Sequence, residues 1–447
     1  MMVLIASIYL AFAVIGLGLF RWLAPGRAVA VVYVGGLIFL PVGVYPPSPE
    51  SAFPYWIIGS ALPSDMWLVK AWVTPLTALL GALLFAPASW RRYRFHPFDL
   101  AMLGWCAWPL AQVLIAPSAS PSPFVATAYL AAVWGVPWLL GRVYLANDEG
   151  RTDFLRVLAW LTLLLLPVAF VEGVLGMSIY GLTVQPHPFV LDGVARYFGW
   201  RPVAWFENGN QYGIWVACAA IGALGVANAG LSHRKRERWL IAILLLFMMA
   251  FAAQSMGAIG LMLMAFGFFI SGQTRALACR LAVPLAGLAL VTSAIYISGA
   301  LPVKTIAQSV LGQNTISALR MAGRGSLPWR IAQDQRSVQI IKGDLIAGAG
   351  KWDWWRSLQT RPWGLMMLIL GQFGLIGLAL AMIAMVGPVI RRALLASRRG
   401  GSSQSALAMS VMIAMSLLDG LLNSFLFLPA IALAGALVVV PECERRT

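Results

Sequence analysis

The sequence predicts an all-α protein, a polytopic transmembrane helical bundle of about 12–13 spans with a long basic loop on one face. Three observations carry this reading. Hydrophobic residues make up 60% of the chain and charged residues only 11%, with a mean hydropathy of +0.81, whereas a soluble protein carries roughly 25% charged residues. Apolar runs recur along the chain at about the 17–25 residues a helix needs to cross a bilayer, and helices or closed barrels alone satisfy backbone polar groups in lipid. Finally, arginine clusters fall in alternate gaps between the runs, as the positive-inside rule requires.

Taken in order, thirteen apolar segments are expected at 3–20, 28–46, 66–87, 99–116, 123–143, 154–176, 211–230, 239–254, 257–272, 281–298, 362–390, 404–422 and 424–440. The first reads as a retained span, since no basic leader or cleavage site accompanies it. The last two form a hairpin around Asn423. The gaps holding Arg21 and Arg27, Arg91-Arg92-Tyr93-Arg94, Arg142 with Arg151 and Arg156, and Arg234-Lys235-Arg236-Glu237-Arg238 belong on one side. Arg275 with Arg280, Arg391-Arg392 with Arg398-Arg399, and Arg445-Arg446 join them, which puts 20 of the 32 cations in the cytoplasm. That orientation leaves 47–65, 177–210 and 299–361 outside. Residues 1–447 read as a single integral membrane domain.

Several function classes drop out. The formal net charge of +16 resides in loops, and no nucleic-acid-binding motif is present, so nucleic acid is not an expected partner. The four cysteines (Cys106, Cys218, Cys279, Cys443) lack CxxC spacing, and three histidines do not make a histidine-based metal site. No metal or cofactor is expected.

The stretch Leu301–Arg361 is the one long hydrophilic excursion. It holds nine cations, Arg324, Arg330, Arg336, Arg356 and Arg361 among them, against three acids, Asp334, Asp344 and Asp353. Positive charge on the outer side needs a reason other than topology, and an anionic substrate supplies one. Ser326 and Pro328 start a helix with Ile331, Val338, Ile341 and Leu345 on one face and Gln333 and Arg336 opposite, suited to lie along a membrane surface and its lipids. The tryptophans of Gly348-Ala349-Gly350-Lys351-Trp352-Asp353-Trp354-Trp355-Arg356 fit a bilayer interface or a sugar face.

The second informative stretch is Arg201-Pro202-Val203-Ala204-Trp205-Phe206-Glu207-Asn208-Gly209-Asn210, which leads into the seventh segment. A helix N-terminus beside an arginine is a ready site for a phosphate or diphosphate. Asn208 or Asn210 alternatively caps that helix.

From these residues the chain resembles the O-antigen ligase and O-antigen polymerase-like membrane proteins. The marks are Arg201, Phe206 five residues on and Asn210 nine on, with Asn208 and Gly209 between. Ser255-Met256-Gly257 stands where the family has Ser-Arg-Gly, and Gly323-Arg324, Trp329 and Gly348-Ala349-Gly350 stand for its loop marks. Gly374-Leu375-Ile376-Gly377-Leu378 matches the closing motif, and Gln372 replaces an acid. Counting back from Gln372, Trp363 occupies the family's histidine position and Met256 its second arginine.

The resemblance implies metal-independent glycosyl transfer at the periplasmic face of a bacterial inner membrane. A polyprenyl-diphosphate-linked glycan is the donor, and other polysaccharide-assembly proteins are potential partners. It assigns Arg201, Arg324 and a base to catalysis, and Asn208, Asn210, Arg330, Arg336, Arg356 and Arg361 to substrate binding. Glu207 is the preferred base, with His187 of Gln185-Pro186-His187-Pro188 the other candidate. Lys70, Glu172 and Asp419 lie within apolar segments, where charge is costly and marks transport paths. A lipid-linked sugar or polysaccharide transporter is therefore the alternative, as is a non-catalytic member of an exopolysaccharide secretion complex.

Overall fold

Each of the thirteen apolar segments contains helix among the described residues of the structure, a computed structural model that describes all residues except 1, 42–68, 116–122, 185–194, 197, 230–231, 271, 299–301, 322–325, 359–360, 400–402, 422 and 440–447. The chain begins with α1 (Met2–Leu19), α2 (Pro25–Phe39), α3 (Lys70–Phe85) and α4 (Pro97–Ile115). Next come α5 (Pro123–Leu130) and α6 (Val136–Tyr144), continuous through a π-turn just before Pro137. After α7 (Asp148–Leu163) a break before Pro167 starts α8 (Leu166–Leu175) and the short α9 (Ile179–Thr183). A two-residue hairpin, β1 (Ala195–Arg196) with β2 (Gly199–Trp200), precedes α10 (Gly209–Ala227). There follow α11 (His233–Ala252), α12 (Met256–Ile270), α13 (Gly272–Ser298), α14 (Val303–Gln308), α15 (Val310–Met321) and α16 (Ser326–Ile341). The chain ends in α17 (Leu365–Arg399), α18 (Gln404–Asp419) and α19 (Pro429–Leu437).

Among the described residues five helices are long and apolar enough to cross a membrane: Pro97–Ile115, Pro123–Tyr144, Asp148–Leu175, Gly209–Ala227 and Leu365–Ser397. Further apolar stretches, among them Pro25–Phe39, Lys70–Phe85, Met256–Ile270 and Val283–Tyr296, are shorter.

Helix α10 is the centre. It is apolar all round, which marks a helix surrounded by protein or lipid, and its residues from Gln211 to Ala227 are buried. Small residues let neighbours close in, the usual device where the medium is as apolar as the side chains. A Cβ on Gly213 would meet Ser255 at 2.6 Å, and one on Gly225 would meet Ala408 at 2.5 Å. Thus α11 with α12 and α18 approach it on different faces.

One end of the bundle is held by arginines. Arg142 donates to both carboxylate oxygens of Asp99 (2.9 and 3.0 Å), while Trp138 donates to Oδ1 at 2.7 Å. Arg151 donates to the Val439 carbonyl (2.8 Å), Arg391 to that of Val438 (2.7 Å), and Arg392 to those of Leu437 (3.1 Å) and Val439. Cations belong at a helix C-terminus, where carbonyls lack intrahelical partners. Arg151, Arg391 and Arg392 therefore close α19.

Helix α17 is interrupted at Gly374, whose φ of 68° and ψ of −173° lie in a region open essentially to glycine. The groups freed by the break pair with the 345–350 segment. Leu375 donates to the Leu345 carbonyl (2.9 Å), Ala349 to that of Gly371 (2.9 Å) and Gly350 to that of Gln372 (2.8 Å). Buried Gln112 of α4 donates to the carbonyls of Ala347 and Gln372, both at 2.7 Å, and Trp108 to that of Phe373 at 2.7 Å. The Gly-x-Gly and Gly-Leu-x-Gly-Leu marks are therefore two halves of one junction. A Cβ on Gly374 would sit 2.2 Å from the Ile346 carbonyl oxygen. Gly374→Ala should lose about 1–3 kcal/mol from backbone conformation alone and more from that overlap. The thermal midpoint in detergent should fall well below that of Gly260→Ala, whose new Cβ meets nothing within 4 Å.

Two expectations need correcting. The apolar face of α16 does not lie free for a membrane surface: Val338 and Ile341 pack with Trp354, Met367 and Leu370. Gln333 is on that buried face together with Asp334 and Ser337, while Arg336 is exposed.

Candidate functional site

The other end of the bundle collects acids, amides and cations. Its base is the 201–208 segment, fastened by Glu172 of α8. One carboxylate oxygen of Glu172 accepts the Val203 and Ala204 N–H groups at 2.7 Å each, and the other accepts that of Ile179 at 2.9 Å. Ala204 has a φ of 50°, unusual for a side-chain-bearing residue, and the bond to Glu172 holds it there. Glu172 is thereby a structural clamp.

Arg201 is buried. Its Nε donates to the Ala253 carbonyl at 2.8 Å, and Nη2 donates to Asn210 Oδ1 at 2.6 Å. Asn210 Oδ1 also accepts from Ser255 Oγ at 3.2 Å. The segment 253–256 is the turn between α11 and α12, with Gln254 at a φ of 48°. Arg201, Asn210 and Ser255 thus meet, while Met256 is half exposed and brings no second cation. Gly209 is needed for this contact, because a Cβ there would sit 2.1 Å from Arg201 Nε. Asn208 caps α10, its Oδ1 accepting from the backbone of Asn210 (2.9 Å) and Gln211 (3.1 Å).

Glu207 is buried beside two cations from distant parts of the chain. Burial raises its carboxyl to about 7, while the charges of Lys70 and Arg361 oppose that rise. Its N–H donates to Gln211 Oε1 at 2.9 Å. Lys70 starts α3, and its Nζ donates to the Trp205 carbonyl at 2.8 Å. Half-buried Arg361 lies in the extended 361–364 stretch that enters α17.

Two residues further on, Trp363 leads to a second cluster. Its ring packs against that of Trp329, 5.6 Å between centroids and tilted by 56°, and the Arg330 guanidinium lies 5.1 Å from its ring centre. Arg330 also donates to Asn423 Oδ1 (2.7 Å), whose Nδ2 donates to Asp419 (2.7 Å). Asp334 accepts the Trp363 N–H at 2.8 Å and the Gly364 N–H at 3.4 Å, so a carboxylate of α16 caps α17. Burial raises Asp334 to about 6, against those two hydrogen bonds and Arg330.

The predicted residues therefore divide. Arg201, Asn208, Asn210, Glu207 and Arg361 gather around the start of α10, and Arg330 belongs to the neighbouring cluster. Arg356 pairs with Asp353 at 3.0 Å and stacks on Trp352. Arg336 is exposed on α16. Arg324 and His187 lie outside the described residues. Sequence reasoning noted Lys70 and Asp419 only as charges within apolar segments, and it missed Asp334 and Asn423 as partners. For Lys70 the available signal was a lysine near the start of an otherwise apolar segment.

Such an arrangement can bind an anion through arginine, accept a proton at Glu207 and position a polar acceptor between the two clusters. No family model matches the chain, and no curated protein matches it in sequence.

Proposed function

We propose that this is a membrane glycosyltransferase of surface polysaccharide assembly, polymerising or ligating polyprenyl-diphosphate-linked glycans at the periplasmic face of a bacterial inner membrane. The observation that carries this reading is the convergence at the α10 N-terminus of buried Arg201, buried Glu207 and Arg361, drawn from segments about 160 residues apart in sequence. In the proposed reaction an acceptor hydroxyl oxygen bonds to the anomeric carbon of the donor sugar. Its proton passes to the Glu207 carboxylate, and the bond from sugar to diphosphate breaks with the electron pair leaving on the diphosphate. Arginines neutralise that leaving group through fixed hydrogen bonds, and a carboxylate titrating near neutral pH is matched to the proton transfer. Against a transporter reading, Glu172 is fully committed to three backbone N–H groups and Asp419 bonds Asn423.

Polyprenyl-linked glycan length in cells with and without the protein tests this. Loss of a polymerase leaves single repeat units, loss of a ligase leaves long unattached chains, and loss of a transporter leaves repeat units facing the cytoplasm. That last outcome would reject the reading. The orientation is checked separately. With native cysteines replaced, a cysteine at exposed Arg336 should react with an impermeant thiol reagent in intact cells, and one at exposed Lys235 should not.

A further inference from the structure

Lys70 has no assigned part in the transfer chemistry, yet its position is costly. A lysine ammonium that is 2% exposed loses its hydration, and a cation at a helix N-terminus opposes the helix dipole. Two contacts and a nearby charge offset this. The Trp205 carbonyl accepts from Nζ at 2.8 Å and the Phe206 ring centre lies 5.3 Å from Nζ, while the Glu207 carboxylate acts on the ammonium as a countercharge beyond ion-pair contact. These are three consecutive residues of the 201–208 segment. Lys70, Phe206 and Gln211 also line one cavity, whose remaining walls are apolar residues of α2, α10 and the 426–428 stretch. Gln211 in turn accepts the Glu207 N–H. Helix α3 thus reaches across to the segment that presents Glu207 and touches it at the Trp205 carbonyl and the Phe206 ring, the two residues just before Glu207.

We propose that Lys70 is a positioning residue for Glu207: its ammonium, anchored on the Trp205 carbonyl, favours the ionised form of the Glu207 carboxylate, the form that accepts a proton. This rests on the glycosyltransferase reading for its purpose, but the coupling itself does not. The other charged groups of this end have their own partners. Glu172 holds three N–H groups, Arg201 the Ala253 carbonyl and Asn210, and Arg330 Asn423, while the Tyr9 hydroxyl donates to the Pro41 carbonyl. Arg361 is the second cation facing Glu207, so loss of Lys70 should weaken ionisation without abolishing it.

The test titrates Glu207 directly in the full-length protein in detergent. The carboxyl C=O stretch is followed by infrared difference spectroscopy, with Glu207→Gln as the blank, and glycan transfer by the same preparation is followed across the same pH range. Three variants are compared with wild type: Lys70→Arg keeps the charge, Lys70→Gln keeps a donor without the charge, and Lys70→Met keeps neither. An opposite charge close by shifts a carboxyl by roughly 1–3 pH units. We expect the wild-type midpoint to rise by about one unit in Lys70→Gln and Lys70→Met and to stay put in Lys70→Arg. The transfer profile should move by the same amount. A purely structural lysine would lower transfer at every pH with the midpoint unmoved, and that result overturns the proposal. So does a shift confined to Lys70→Met, which would make the hydrogen bond the active element. If no preparation transfers glycan while the infrared midpoint still shifts as expected, the coupling stands and the functional reading falls.

Discussion

Arg201→Ala should reduce glycan transfer by roughly 100-fold or more, the usual cost of removing one donor aimed at charge that develops in a transition state. The guanidinium is planar and forked, and the structure uses that shape: Nε is spent on the Ala253 carbonyl and Nη2 on Asn210 Oδ1. Arg201→Lys keeps the charge but makes fewer fixed bonds, so it should recover only part of the activity. Because Arg201 also ties the α10 N-terminus to the α11–α12 turn, protein level and thermal midpoint are measured on the same samples. A variant that is folded and inactive supports a role in the reaction. Full activity in folded Arg201→Ala would remove the best-placed residue of the proposal. A matched control is Lys235→Ala, exposed on α11, which should leave transfer unchanged.

The all-α, apolar character of the chain was legible because apolar runs recur along it, and among the described residues five of them form helices long and apolar enough to cross a membrane; the arginine contacts at α19 were not legible, because their carbonyl partners lie far away in sequence. The site was legible where a motif is local, as in Arg201 to Asn210 with the Asn208 cap. It was opaque where partners are far apart in sequence. Nothing near Glu207 announces Lys70 or Arg361, and nothing near Asp334 announces the N–H groups of Trp363 and Gly364. The face of α16 was misjudged for a related reason. Gln333 looks solvent-facing by polarity, but that face meets α17, so protein rather than water sets its surroundings.

Glu207→Gln should abolish transfer at every pH while making the protein more stable in alkaline buffer. In the folded protein burial lifts the Glu207 carboxyl from 4.5 to about 7. As a general base it works ionised, so wild-type transfer should climb about tenfold per pH unit below 7 and level off above it. The stability effect has the opposite sense. Below pH 4.5 the group is protonated in both folded and unfolded chains and contributes nothing. Between 4.5 and about 7 the unfolded chain releases the proton while the folded chain keeps it, so the folded state loses ground. Above about 7 that loss is complete, on the order of 3 kcal/mol. Glutamine carries no such burden, so the thermal midpoint of Glu207→Gln should match wild type near pH 4.5 and exceed it at pH 8. An isosteric change that stabilises the fold while removing activity is the signature of a group held in an unfavourable setting for chemistry. Equal midpoints at both pH values, with transfer intact, would make Glu207 an ordinary buried carboxyl and send the search for the base to His187.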